Sequence, residues 1–190
     1  MRKTLREFLQ TAILSLLVFA ALQVTIQNFR VEGSSMERTL LSGQYLLVNK
    51  LVYYRLDLER LGRVLPFVDA DSGETQYLFH PPQRGEVVVF RYPLDPSRDF
   101  VKRVVAIPGD TVEIRDGNLY VNDELVQEPY VRSVAHTSMR RTLMAADEYF
   151  VMGDNRPQSN DSRSWGPITI DDVIGRAWVA YWPFSGWRRF

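Results

Sequence analysis

The distribution of apolar and polar residues divides the chain into a short basic start, one long apolar run and a longer region with strand-like patterns. The run from about Phe8 to Ile26 carries no charge, and about 20 apolar residues are enough to span the hydrocarbon layer of a bilayer. We therefore predict a transmembrane helix over residues 8–28. The alternative is a removable signal peptide cleaved near Ala20, but the apolar run continues past that point without a polar spacer.

Basic residues precede the apolar run, at Arg2, Lys3 and Arg6. Positive charge is retained on the cytoplasmic side of a membrane helix. We therefore predict that residues 1–7 are cytoplasmic, that residues 29–190 are extracytoplasmic, and that the chain crosses the membrane once.

The region after the predicted anchor alternates β-branched and aromatic segments with turn signals, which is typical of a mostly β domain. Strands are predicted at 44–54, 86–92, 99–107, 148–154 and 175–182, with a hairpin at 111–123. In the hairpin, Asp116 and Gly117 supply a tight turn. Residues 55–83 are predicted to form a variable excursion, with a short helix near 56–62.

Composition excludes several kinds of chemistry. The 190 residues include 23 Lys and Arg, 23 Asp and Glu and no cysteine, so the formal net charge is zero. This balance gives no reason to expect nucleic acid as a partner, and the lack of cysteine excludes disulfides, thiol nucleophiles and Cys-based zinc sites. With only His80 and His136, a Ser-His-Asp triad or a His-rich metal site is hard to build. We predict neither a metal ion nor a cofactor.

The polar stretch after the apolar run, VEGSSMERTL (31–40), contains a candidate nucleophile, Ser35. A serine hydroxyl is a poor nucleophile until a base takes its proton. Because neither histidine has a suggestive context, lysine is the remaining candidate, and serine-lysine pairs are a known variant of the catalytic triad. A lysine can act as a base only when it is neutral, which burial among apolar groups favours.

Lys102 meets this requirement within the stretch FVKRVVAI. Alternation along a strand places Phe100, Val104 and Ala106 on the face of Lys102 and turns Arg103 the other way. The alternative is a solvated lysine that protects an edge strand against pairing.

A turn-rich stretch, GDNRPQSNDSRSWG (153–166), follows a predicted strand. If it is extended, Ser159, Asp161 and Arg163 share one side, because they are two residues apart. A hydroxyl and an ion pair beside a lysine would orient its amine. The alternative is an ordinary capped loop.

Four stretches, in this order along the chain, resemble the type I signal peptidases: GSSMERTL, RGEVVVFRYP, FVKRVVAIPGD and GDNRPQSNDSR. Members of that family are serine-lysine proteases that remove signal peptides from exported proteins, with a β-rich catalytic domain related to that of the repressor-type proteases. The resemblance covers nearly the whole chain. It implies that Ser35 is the nucleophile and Lys102 the general base. It also implies that Ser159 hydrogen-bonds the base and that Asp161 and Arg163 form a supporting ion pair.

The resemblance further implies a membrane-anchored serine endopeptidase of the bacterial inner membrane. Its partners would be the signal peptides of exported preproteins and the lipid bilayer. The backbone N–H groups of Ser35 and Ser34 would form the oxyanion hole, and Met36 would lie beside the substrate. The chain departs from the family at Arg38, where proline is usual, and at Gly33, where some members place a serine hydroxyl in the oxyanion hole.

Two other functions remain open at this point. A self-cleaving repressor-type protease shares the serine-lysine dyad, but it would carry a DNA-binding domain where this chain has its apolar run. A catalytically silent, membrane-anchored scaffold of the secretion machinery would need no dyad.

The chain ends in an aromatic cluster, WVAYWPFSGWRRF. We predict a strand whose Trp178 and Trp182 rings pack in the core. Trp187 and Phe190 either join that core or lie at the bilayer interface beside Arg188 and Arg189.

Overall fold

The N-terminal run forms one long helix, α1, from Arg2 to Thr25. This computed structural model describes residues 2–56, 76–133 and 135–190. Within those ranges α1 is the one helix that is long and apolar enough to cross a membrane, and its apolar side chains are exposed. The helix ends at Thr25 rather than at residue 28, because residues 26–28 already pair with the neighbouring strand.

The described part of the chain after α1 is mostly β, as predicted. Its strands are β1 (Ile26–Arg30), β2 (Tyr45–Asn49), β3 (Arg55–Leu56), β4 (Gln76–Tyr77), β5 (Val87–Tyr92), β6 (Asp95–Ala106), β7 (Thr111–Arg115), β8 (Asn118–Val121), β9 (Glu124–Leu125), β10 (Met139–Leu143), β11 (Glu148–Met152), β12 (Ile168–Thr169), β13 (Val173–Trp182) and β14 (Arg188–Arg189). The main sheet has the order β1-β2-β13-β5-β6-β11-β12, with β14 beside β13. A smaller sheet has the order β10-β7-β8-β9, and β3 pairs with β4.

Local turn chemistry explains the predicted hairpin. Asp116 and Gly117 join β7 to β8, and both have positive φ, 47° and 83°, as a type I′ turn requires. In the predicted excursion, its first two residues pair with residues 76–77 as β3 and β4. The helix predicted near 56–62 lies, beyond Leu56, outside the described residues.

The centre of the main sheet is buried on both faces, and this fixes the strand that carries Lys102. In β5, Val87 and Val89 pack in one apolar cluster, whereas Val88 and Phe90 pack in another. A strand covered on both sides reads as a continuous apolar run, as VVVF does. Because β6 pairs with β5 along its length, β6 is held in the same rigid layer.

The prediction that Trp178 and Trp182 pack in the core is wrong. Their side chains are 39% and 49% exposed. The core positions of β13 are taken by Ala177 and Ala180, which are fully buried against β2 and β5. Trp178 directly follows Ala177, so alternation turns it to the opposite face. Register irregularities between Ala177 and Val179 and between Ala180 and Trp182 then place Ala180 inside and turn Trp182 outward.

Candidate functional site

Ser35 lies in a tight turn that follows β1. Gly33 opens the turn with a φ of 82°, a left-handed conformation that glycine adopts without a steric penalty. The Glu37 N–H donates to the carbonyl oxygen of Ser34 at 3.0 Å. Met36, the next residue after Ser35, buries its side chain in the core below. The turn is therefore anchored by an apolar side chain directly beside the candidate nucleophile.

Arg38, the departure from the family pattern, has a φ of 81°. Proline is locked near a φ of about −65°, so it could not adopt this backbone conformation. A proline at position 38 would therefore require a different backbone path. The Arg188 guanidinium supports the observed path, because it donates to the carbonyl oxygens of Arg38 at 2.8 Å and Thr39 at 3.2 Å.

Ser35 and Lys102 meet across the sheet. The Lys102 Nζ lies 2.7 Å from the Ser35 Oγ and donates to the Val101 carbonyl oxygen at 3.0 Å. A 2.7 Å separation allows an ammonium to donate to the hydroxyl oxygen, or a neutral amine to accept the hydroxyl proton. The contact joins residues 67 apart in sequence, so it depends on the packing of the turn against β6.

Burial lowers the pKa of Lys102 to about 8. The side chain is 4% exposed, and desolvation of the ammonium is the largest cause of the shift. The negative charges of Asp161 and Asp154 raise the pKa and offset part of that effect. A lysine with this pKa is neutral in a substantial fraction of molecules near neutral to mildly alkaline pH.

The predicted apolar face around Lys102 is present in part. The Phe100 ring centroid lies 5.2 Å from Nζ, and Phe100 packs in the same cluster as Val104. Ala106 belongs to a different cluster, because the pairing of β6 with β11 is irregular between Val104 and Ala106. Arg103 points to the other side of β6, as alternation predicts, and contacts Asp154.

Asp161 and Arg163 form an ion pair in which the carboxylate is fully buried and the guanidinium is 12% exposed. The Arg163 Nε and Nη2 donate to the two carboxylate oxygens at 2.7 and 2.8 Å, and Asp161 is 0% exposed. The loop is not extended as predicted; Asp161 caps a short helix, Ser162–Trp165, and accepts from the Arg163 backbone N–H at 3.3 Å. The other Asp161 oxygen accepts from the Gly153 N–H at 3.0 Å, which ties the loop to the end of β11.

Ser159 lies beside the site without the predicted hydrogen bond. Its Oγ is buried and has no hydrogen-bond partner among the residues that the structure describes. The side chain packs against Gly153, where an added Cβ would collide with both Ser159 and the Ser35 carbonyl oxygen. The role of Ser159 in orienting Lys102 therefore stays a prediction.

A second ion pair, which sequence reasoning missed, holds the opposite side of β6. The Arg103 Nε and Nη2 donate to Asp154 at 2.9 and 2.6 Å, and Thr39 Oγ1 donates to the same carboxylate. The Arg103 guanidinium also stacks over the Tyr130 ring at 4.0 Å. These contacts join the nucleophile turn, β6 and the loop after β11. In the sequence, the only indication of the Arg103–Asp154 pair was the strand alternation that places Arg103 and Lys102 on opposite sides of β6.

Asn155 fixes the backbone on which Ser35 stands. Its side-chain Nδ2 donates to the Ser34 carbonyl oxygen at 3.0 Å, and its backbone N–H donates to the Ser35 carbonyl oxygen at 2.9 Å. Asn155 thus fixes the backbone carbonyl groups of both Ser34 and Ser35. The Asn in GDN is the signal that could have found it, since asparagine is common in loops that bond to neighbouring backbone.

The dyad opens into a cleft of about 570 Å³. The cleft is bordered by β1, the nucleophile turn, β6 and the loop after β11, through Phe29, Arg30, Val31, Glu32, Gly33, Ser34, Ser35, Leu46, Val89, Arg98, Asp99, Phe100, Val101, Lys102, Gln158 and Asn160. Met36 is not part of this lining, because its side chain lies in the core. The predicted contact of Met36 with substrate therefore stays a prediction.

The turn offers two backbone donors beside the Ser35 hydroxyl. Within the described ranges, neither the Ser34 N–H nor the Ser35 N–H donates to another group of the chain. Both residues line the cleft. Free N–H groups beside a nucleophile are what an oxyanion hole requires, so the prediction that these two donors serve this purpose is compatible with the geometry.

Among the described residues there is no group of three or more His, Cys, Asp or Glu side chains that could hold a metal ion. The two carboxylates near the dyad are each paired with an arginine.

Comparison with known proteins finds relatives over most of the chain. The profile of the family described as signal peptidase, peptidase S26, matches residues 4–182. The probable signal peptidase I-1 of Synechocystis sp. is 37% identical over 60% of this chain and 62% of its own length. The signal peptidase I of Pseudomonas aeruginosa is 34% identical, over 83% and 66%. The signal peptidase I U of Bacillus subtilis is 32% identical, over 98% and 95%. The chain thus spans about two thirds or less of the first two relatives and nearly all of the third.

Proposed function

Because the chain belongs to the signal peptidase family, peptidase S26, we propose that it is a serine endopeptidase that removes signal peptides from exported preproteins. The observation that carries this proposal is the 2.7 Å contact between Lys102 Nζ and Ser35 Oγ in an open cleft. A buried amine beside a serine hydroxyl is the pairing that nucleophilic catalysis without histidine requires. A binding scaffold would have no need to keep a lysine out of water.

The reaction proceeds by acyl transfer. Neutral Lys102 takes the proton of Ser35, and the Ser35 Oγ attacks the scissile carbonyl carbon of the peptide. The negative charge that develops on the carbonyl oxygen is stabilised by the N–H groups of Ser35 and Ser34. Protonated Lys102 gives its proton to the leaving amine, and a water molecule, deprotonated by Lys102, then releases the signal peptide from Ser35.

The cleft is suited to a peptide in extended conformation. The pairing of β6 with β11 begins at Arg103, so the part of β6 before Lys102 has backbone groups available for an added strand. Apolar side chains of Phe29, Leu46 and Val89 line the cleft beside it. We expect them to form the shallow pockets for the small side chains, usually alanine, that the family accepts at the first and third residues before the bond.

The apolar helix α1 anchors the protein in a membrane. We infer that the N-terminus is cytoplasmic, that the β domain lies on the outer side of the bacterial inner membrane, and that the chain crosses once. Ser35 follows the end of α1 by ten residues (35 − 25 = 10), a reach of at most about 36 Å. Enzyme and signal peptide then share one membrane surface, which raises their effective concentration.

Cleavage of a precursor by the purified full chain tests the proposal. We expect wild-type protein to release the signal peptide, and Ser35→Ala to be inactive although its unfolding curve matches that of wild type. A Ser164→Ala variant, which removes an exposed hydroxyl outside the dyad, is the matched control and should cleave normally. If wild-type protein binds the precursor without cleaving it, the scaffold function is correct and the protease proposal is wrong.

A further inference from the structure

A second cavity, of about 690 Å³, lies where α1 meets the sheet. Val24, from the last turn of α1, and Gln27, from β1, form one side of it. Lys50, at the end of β2, and Arg91, near the end of β5, contribute basic side chains from the other elements. The cavity is separate from the dyad, and none of the chemistry described above uses it.

Among the described residues that line this cavity, the charges do not cancel. Arg55 and Asp171, which both line it, are paired with each other. In contrast, neither Lys50 nor Arg91 forms an ion pair with any residue in the described ranges, although Arg91 stands opposite Asp99 in the register of β5 and β6. Counting Lys50, Arg91 and Asp99 gives a net charge of +1 (2 − 1 = 1). A ligand with one negative charge would balance it.

The position of the cavity indicates which molecule would supply the negative charge. The Lys50 N–H donates to the Thr25 carbonyl oxygen at 2.9 Å, so Lys50 is held at the C-terminal end of α1. When α1 spans a bilayer, as the proposed function assumes, its end lies at the boundary between hydrocarbon and headgroups. Tyr54, which is 55% exposed, lies at the same cavity, and tyrosine is common at that depth.

We propose that this cavity binds the headgroup of an anionic phospholipid of the phosphatidylglycerol class. The phosphodiester carries one negative charge, and its oxygens would accept charge-assisted hydrogen bonds from Lys50 Nζ and the Arg91 guanidinium. The Asp99 carboxylate, which forms no ion pair with another described residue, would accept a hydrogen bond from a headgroup hydroxyl. A zwitterionic lipid has no net charge to balance the cavity, and the two negative charges of inorganic phosphate would exceed the net charge of +1.

A bound headgroup would hold the catalytic cleft at a fixed depth. Asp99 lines both this cavity and the cleft, so one short stretch of β6 forms a wall of each. A lipid fixed on one side of that wall would set the height of the dyad above the hydrocarbon, where a signal peptide leaves the bilayer.

The test uses the full chain in a neutral detergent, titrated with short-chain phosphatidylglycerol, phosphatidylcholine of the same chain length, and inorganic phosphate. Binding is measured by calorimetry and by the shift of the thermal unfolding midpoint. We expect phosphatidylglycerol alone to bind, and Lys50→Gln and Arg91→Gln each to weaken that binding about tenfold, the effect of losing one charge-assisted hydrogen bond. Arg140→Gln, which removes an equal charge from the exposed face of β10, should bind like wild type.

Equal binding of phosphatidylcholine, equally tight binding of inorganic phosphate, or unchanged affinity in both variants would each overturn the headgroup site. Each single variant is compared separately, so a folding failure in one leaves the other informative. Cleavage of a soluble peptide is followed in the same samples. Normal cleavage without lipid selectivity rejects the headgroup site and leaves the proposed protease intact, whereas selective binding without cleavage rejects the protease alone.

Discussion

Lys102 and Arg103 are adjacent basic residues on β6, but they face different environments: Lys102 contacts uncharged groups, and Arg103 contacts a carboxylate. On the cleft side, Lys102 is buried beside a hydroxyl, a carbonyl and an aromatic ring, and its pKa is lowered to about 8. On the other side, Arg103 is held by both oxygens of the buried Asp154. The same strand therefore carries one cation that can become neutral and one that stays charged.

The two sides of β6 show how Lys102 can lose its proton although two carboxylates lie near it. Asp154 and Asp161 both raise the pKa of Lys102, and an unopposed carboxylate would keep the amine charged. Each of these carboxylates is instead engaged by its own arginine, Arg103 or Arg163. The ion pairs hold the loop after β11 in place. They also weaken the electrostatic stabilisation that the carboxylates give to the Lys102 ammonium.

Replacing Lys102 by arginine is expected to have the largest effect on activity. Lys102→Arg keeps the positive charge but removes the base, because a guanidinium does not lose its proton in proteins. We expect the turnover of a peptide substrate to fall by about 100- to 10,000-fold. Arg103→Lys, which keeps a cation beside Asp154, is the matched control and should retain far more activity. Comparable activity in the two variants would remove Lys102 from the role of base.

Breaking the pair on the other side of β6 should primarily affect stability. Asp154→Ala leaves the Arg103 guanidinium, which is only 11% exposed, without a counter-charge, and we expect it to lower the free energy of unfolding by about 3 kcal/mol. The measurement is chemical denaturation of the full chain in detergent. Asp123→Ala breaks the exposed pair with Arg141 and should change stability little. Equal losses in the two variants would show that burial of the Arg103 pair is unimportant.

The burial that makes Lys102 a base should also destabilise the fold. Below pH 8 the lysine is charged in both the folded and the unfolded state, so the full penalty of burying the charge is present; above about pH 10.5 it is neutral in both, and the penalty vanishes. We expect Lys102→Met to be more stable than wild type by about 3 kcal/mol at pH 7, and the difference to decrease as the pH rises from 8 to 10.5. Unfolding at several pH values measures this. A difference independent of pH would contradict the lowered pKa.

Ser159→Ala is expected to have the smallest effect on stability. The buried Oγ has no partner in the described part of the chain, so its removal should change the free energy of unfolding by about 1 kcal/mol or less. If Ser159 orients Lys102 during catalysis, kcat should fall about tenfold, the worth of one hydrogen bond, while KM stays the same. Steady-state kinetics on a soluble peptide separate the two parameters. An unchanged kcat would make Ser159 a packing residue only.

The sequence was informative about local patterns and motifs and uninformative about how strands are brought together. The apolar run, the β-rich class, the Asp116–Gly117 turn and the Asp161–Arg163 pair all depend on residues close in the chain. The Arg103–Asp154 pair joins residues 51 apart and needs the β6–β11 register, which no local signal specifies.

The burial of individual side chains was the second feature that the sequence did not predict well. The sequence predicted that the Trp178 and Trp182 rings pack in the core, but the buried positions of β13 are Ala177 and Ala180, and its register has irregularities. Met36 follows Ser35 directly, yet the turn sends its side chain down into the core and not into the cleft. Both outcomes depend on backbone irregularities that simple alternation does not describe.

The direct passage from α1 into β1 has a practical meaning for work with this protein. Thr25 is the last helical residue and Ile26 is the first of the strand, so no flexible spacer separates the anchor from the sheet. β1 is an edge strand of the main sheet, and its Phe29 and Arg30 border the cleft. A shortened soluble protein that began at Arg30 would thus lose part of its own active site, whereas one that began at Ile26 would keep it. Freed from lipid, such a protein would still expose Trp182, Phe184 and Trp187, and its purification calls for detergent.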